Sequence, residues 1–238
     1  MHELRSVTCR HADVELTGQM GTPDGAGPHP AVLIMPTALG LGAQMRRQAD
    51  LLAQRGYVAV ATDMFGGGQD YHAQPAAAGA SFSALLANPL LLRARTLAWH
   101  SLVCATPNVD ARRVAAIGYC FGGRCVLELA RSGADVKAVV SYHGLLDTPM
   151  PAQRGAIKGI VAVYTGAKDP YAPTKDVEAF RQEMIAARAR WQLTVFGDAE
   201  HGFTDPDAAK LNRPGVAYNA LAERISWAGT LALLETEL

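Results

Sequence analysis

No charge of one sign predominates in this chain of 238 residues: lysine plus arginine and aspartate plus glutamate number 22 each. Such a balance gives no field to attract nucleic acid, an anionic membrane or a polyanion, so a small neutral or modestly charged partner is expected. Cysteine is scarce as well. Cys9, Cys104, Cys120 and Cys125 show neither the paired spacing of a zinc site nor the density of a disulfide scaffold, so reduced thiols and no metal are expected. No uninterrupted apolar run is long enough to span a bilayer, and no cationic start with an apolar core and cleavage site precedes Ala31. A cytoplasmic protein without membrane contact is the expectation. Neither an internal repeat nor a low-complexity linker divides the sequence, and 49% of its residues are apolar. One core in a single domain over residues 1–238 is therefore expected, as a monomer by default with an oligomer left open.

What is present is an alternation of short apolar, β-branched runs with longer helical patterns. That alternation predicts an α/β fold: a mostly parallel central sheet with helices on both faces. Residues 4–9 and 14–20 read as a hairpin closed by turn residues at 21–25, giving an antiparallel N-terminal edge. Strands are expected at 31–35, 57–61, 114–117, 137–142, 159–164 and 191–196, with helices at 44–54, 89–105, 175–189 and 217–234. Residues 63–68 form a glycine-rich loop, and residues 69–83 read as a mobile excursion.

Gly118-Tyr119-Cys120-Phe121-Gly122-Gly123 is a G-x-S-x-G nucleophile elbow with cysteine in the serine position. It follows an apolar strand and precedes Val126-Leu127-Glu128-Leu129-Ala130, the strand–turn–helix context that the motif requires. A helix N-terminus favours a thiolate at Cys120. A thiol nucleophile also needs a base, and the base an orienting carboxylate, in the chain order nucleophile, acid, histidine. Asp169 follows the strand at 159–164 and His201 the strand at 191–196, so both fall on loops at strand ends in that order. Taken singly, the cysteine reads equally as a packed core residue, Asp169 as a turn or cap, and His201 as a loop histidine. Jointly they predict a triad in which His201 moves the proton and Asp169 holds its tautomer.

The elbow, Gly166-Ala167-Lys168-Asp169-Pro170 and Glu200-His201-Gly202-Phe203, with their spacings, resemble the dienelactone hydrolase family of α/β-hydrolases, from about Val14 to the last helix. The resemblance implies the α/β-hydrolase fold and a Cys120–Asp169–His201 triad acting on lactones or related esters, without metal or organic cofactor. It also implies an oxyanion hole made of the backbone N–H of Phe121 and that of Ala38, in the loop after the strand at 31–35. Two departures stand out. Thr37 occupies the place of a family glutamate that pairs with the resting cysteine, and Asp205 lies where the family carries a substrate-binding arginine. An anionic dienelactone is therefore not the expected natural substrate.

Among other residues, Thr37, Phe65, His143 and Phe203 are candidate pocket walls. Arg93 and Arg95 read as helix-surface charge, Arg124 is undecided, and Cys125 is a minor candidate for a resolving thiol. The expected activity is hydrolysis of small esters or lactones through a thioester on Cys120, with peptidase activity disfavoured. The alternative is a non-hydrolytic or redox-responsive binding protein that retains the fold.

Overall fold

The computed structural model describes residues 4–238. Eight strands form one sheet: β1 (Arg5–His11), β2 (Val14–Gly21), β3 (His29–Met35), β4 (Val58–Ala61), β5 (Val109–Tyr119), β6 (Ala138–Tyr142), β7 (Ile160–Gly166) and β8 (Arg190–Phe196). Their order is β1-β2-β4-β3-β5-β6-β7-β8, antiparallel in the pairs β1–β2 and β2–β4 and parallel in every other pair. This is the mostly parallel α/β-hydrolase sheet with an antiparallel N-terminal edge that the sequence predicts.

The strand composition follows from burial on both sides. Along β3, Leu33 and Met35 enter one apolar layer while Val32 and Ile34 enter the other. The first layer is closed by α3 (Pro89–Cys104), α4 (Phe121–Arg131) and α5 (Thr174–Ala187), which contribute Trp99, Leu127 and Phe180. The second is closed by α1 (Ala43–Ala53) and α6 (Ala220–Glu237), through Met45, Leu52 and Leu234. The parallel strands end on one rim, and the residues that follow β5, β7 and β8 there are Cys120, Asp169 and His201.

Two expectations are corrected. Residues 69–83 are not merely a loop excursion, because α2 spans Pro75–Ala87. Its first turn starts at Pro75 and continues through alanines, strong helix formers in a segment expected to be a mobile excursion. Arg93 and Arg95 are not surface charge. Arg95 is buried, with Nη1 donating to the Met64 carbonyl at 2.6 Å, and Arg93 donates two hydrogen bonds to the buried Glu128. Among the described residues, no single helix is long and apolar enough to cross a membrane.

Candidate active site

The turn between β5 and α4 requires glycine because backbone approaches backbone there. A Cβ on Gly118 would lie 2.0 Å from the Gly122 carbonyl oxygen, and one on Gly122 would lie 2.1 Å from that of Met35. Cys120 itself takes φ 54°, a left-handed conformation costly for a side-chain residue. The bend is held by the Cys120 N–H donating to Tyr142 O at 3.0 Å and by the Gly123 N–H donating to Cys120 O at 3.0 Å. This places the sulfur at the N-terminus of α4, half-buried, on the rim of the sheet.

Asp169, Cys120 and His201 are brought together. His201 Nδ1 donates to Asp169 Oδ2 at 2.9 Å, both side chains being buried, while the other carboxylate oxygen accepts from Tyr171 N at 2.8 Å. The imidazole in turn hydrogen-bonds the Cys120 thiol. Its loop is anchored by the His201 N–H on Gly215 O and by the Ala217 N–H on His201 O. The rings of Tyr171 and His143 meet the His201 ring edge-on, at 4.7 and 5.1 Å.

Charge is set by this arrangement. Burial is the largest single influence on the Cys120 thiol and opposes ionisation. The charge and hydrogen bond of His201, with the backbone N–H groups of Ala38 and Phe121, outweigh it and hold the thiol below its ordinary value. For His201, burial likewise opposes the charged form, but Cys120 and Asp169 raise it above the ordinary imidazole range. The two shifts are coupled, and both favour a thiolate–imidazolium pair over the neutral one. His143 goes the other way: burial, then the charge of His201, hold it neutral. Its Nε2 lies 2.8 Å from Thr204 Oγ1.

The cavity over the sulfur has a volume of about 140 Å³. Thr37, Ala38 and His143 line it, as the sequence suggests, but Phe65 and Phe203 do not. Phe65 stacks on Phe121 at a centroid distance of 5.6 Å, and Phe203 is fully buried between His143 and Phe196. The wall is taken instead by Phe82, from the unexpected helix α2, and by Tyr171 and Leu145. Thr37 Oγ1 accepts from Leu39 N at 3.1 Å and so closes its own turn. A cation that the sequence did not single out is present as well. Arg213 lines the cavity together with Asp205, and no ion-pair partner for it is found among the described residues.

Tyr171, two residues beyond Asp169, was detectable from the aspartate-led turn that its N–H closes. Arg213 was not, since it reaches the cavity only because the chain returns to pair Val216 with His201. Cys125 is fully buried and its thiol is pushed far up by burial, which removes it as a resolving thiol. Arg124 is buried and ion-paired with Asp147 at 2.8 Å. Among the described residues, no three His, Cys, Asp or Glu side chains converge as a metal site requires.

The dienelactone hydrolase family model matches residues 16–238. An uncharacterized protein of Caenorhabditis elegans is 36% identical over 154 residues, covering 60% of this chain and 92% of its own. A protein of Synechocystis sp., provisionally named a carboxymethylenebutenolidase, is 25% identical over 98% of this chain and 96% of its own. The structure of a dienelactone hydrolase-like promiscuous phosphotriesterase from metagenomic libraries superposes with a TM-score of 0.92. It is 34% identical and covers 99% of this chain and 98% of its own.

Proposed function

The chain belongs to the dienelactone hydrolase family of the α/β-hydrolase superfamily and is a hydrolase of ester or lactone bonds; from this premise we propose that Cys120 is its nucleophile and a thioester its intermediate. The observation that carries the reading is the chain of contacts from Asp169 through His201 to the sulfur, with two backbone N–H groups aimed at that sulfur.

The thiolate of Cys120 attacks the carbonyl carbon, forming a C–S bond and pushing the electron pair onto oxygen. The N–H groups of Ala38 and Phe121 receive that oxyanion, where two such donors supply several kcal/mol of transition-state stabilisation. Collapse expels the alkoxide, which takes its proton from the His201 imidazolium; in a lactone it stays tethered to the acyl group. Water then gives a proton to His201 and attacks the thioester. The C–S bond breaks, the acid leaves, and the thiolate–imidazolium pair returns. Throughout, Asp169 fixes which nitrogen of His201 faces the sulfur. No carboxylate at position 37 takes part, so activation of the thiol falls on His201.

Asp205 and Arg213 bring one charge of each sign to the cavity wall without pairing to each other, so the wall carries no excess of positive charge to favour an anionic substrate. Small neutral esters and lactones are therefore the proposed substrates. The test is a panel of neutral aryl esters, plain lactones, a carboxylate-bearing enol-lactone and a phosphate triester, with intact-mass trapping. Turnover of the neutral esters with an acyl adduct on Cys120 is expected. Full turnover by Cys120→Ala, or a strong preference for the anionic lactone, would overturn the mechanism or the substrate class respectively. The binding-protein alternative predicts no turnover of any member.

A further inference from the structure

At the carboxyl ends of β5 and β6 the same turn is built twice. Tyr119 and Tyr142 are register partners on these parallel neighbours, so the next residues, Cys120 and His143, leave the sheet side by side. Both are left-handed, with φ 54° and 38°. Each N–H donates to a tyrosine carbonyl on the next strand, Cys120 to Tyr142 O at 3.0 Å and His143 to Tyr164 O at 2.8 Å. The two turns also interlock, since a Cβ on Gly123 would lie 2.6 Å from Gly144 Cα. At Cys120 the strain presents the proposed nucleophile. Glycine adopts this conformation without strain, so the ring at position 143 is kept at a cost that the turn itself does not require.

What that ring meets is His201, at a centroid distance of 5.1 Å and an interplanar angle of 68°, with Phe203 packed edge-on against it at 5.0 Å. It is braced as well as packed. His143 Nε2 lies 2.8 Å from Oγ1 of the buried Thr204, and Gln44 Nε2 on α1 donates to both Oγ1 and the carbonyl oxygen of Thr204, at 3.2 and 3.1 Å. Thr204 lies three residues beyond His201, so the brace ties α1 and the turn after β6 to the loop that carries the histidine. Burial and the charge of His201 keep the His143 ring neutral, and it packs on the imidazolium without adding a second cation.

The proposed reaction contains a step at which this contact decides the geometry. In the resting site His201 is held at two places, by Asp169 and by the sulfur. Acylation removes the charge from the sulfur and with it the second hold. Asp169 alone leaves the ring to swing about a single hydrogen bond, at the stage when it has to take a proton from water. We propose that His143, braced through Thr204 by Gln44, is the positioning residue that keeps the His201 imidazole in place while the acyl-enzyme is hydrolysed. This role rests on the thioester reading given above.

Rapid mixing of the full chain with an activated aryl ester reads the two steps separately. The burst of aryl alcohol reports acylation, and the decay of the acyl mass on Cys120 in a quenched time course reports hydrolysis. His143→Asn keeps a residue that tolerates the left-handed backbone and removes the ring. Hydrolysis of the acyl-enzyme should slow about tenfold or more, while acylation stays within about threefold of the wild type. Thr204→Val, which removes only the hydroxyl, should slow hydrolysis about fivefold, and Thr204→Ser should restore it. The Thr204 pair leaves the backbone at 143 alone and carries the test if His143→Asn does not fold. Hydrolysis unchanged in the variants, equal loss in both steps, or Thr204→Ser no faster than Thr204→Val would overturn the positioning role. Absence of both burst and adduct in the wild type would instead overturn the thioester reading, and the role with it.

Discussion

The two ends of α4 carry two buried ion pairs that have opposite consequences. At its N-terminus Cys120 and His201 share a charge beside a cavity, and only Asp169 and two backbone N–H groups complete the set. Two turns further on, Glu128 is enclosed: Arg93 donates to Oε2, while Arg131 and Thr148 donate to Oε1. Arg131 continues to both oxygens of Glu183 on α5 and to Leu146 O. The second cluster therefore binds α3, α4, α5 and the chain near residue 146 into one layer. A buried pair becomes reactive when one partner retains an open side, and becomes structural when every lone pair is taken.

The comparison breaks first at the proposed nucleophile. Cys120→Ala should lower kcat on an aryl ester by about 10⁴ or more, since the group proposed to form the covalent bond is gone. Its melting temperature should stay close to that of the wild type. Next, Asp169→Asn should cost about 10³ to 10⁴ in kcat by favouring the wrong imidazole tautomer, again with little loss of stability. Glu128→Gln should do the reverse. Leaving Arg93 and Arg131 partly unpaired in the interior should cost about 3 to 5 kcal/mol in urea unfolding, while kcat of the folded fraction is kept. If Glu128→Gln instead impaired kcat and spared stability, the division of roles along α4 would be wrong.

How much of this is legible in the sequence depends on the range of the interaction. The elbow is legible because Gly118 and Gly122 answer local backbone contacts, and the turn leaves a residue pattern. Asp169 and His201 are legible because each follows an apolar strand whose end fixes its position. The Glu128 cluster is not, since its partners lie 35 and 20 residues away and an arginine on a helix reads as solvated. The same holds for Arg213, delivered by a chain return. Phe65 and Phe203 show the limit from the other side: aromatic residues near a motif became packing behind the wall, and Phe82 on the unread helix α2 took the wall itself.

The smallest effects sharpen the contrast along the first turns of α4, where Cys120 and Cys125 stand five residues apart. Burial raises both thiols, but only Cys120 has His201 and two backbone N–H groups to overcome it. Its thiolate is favoured, so its alkylation rate should rise with pH along a limb lying below the ordinary thiol value of about 8.5. Because His201 is raised, the imidazolium that supports the thiolate persists above the ordinary imidazole value of about 6.5 and is lost only at more alkaline pH. His201→Asn removes that support and should move the limb upward. Cys125, where burial outweighs the nearby Arg124 charge and the Thr96 hydrogen bond, should remain unlabelled in the native protein across the same range. Peptide mass mapping after iodoacetamide treatment reads both sites in one experiment. Equal labelling of the two cysteines, or a limb unmoved by His201→Asn, would mean that the helix terminus rather than the histidine sets the charge of the sulfur.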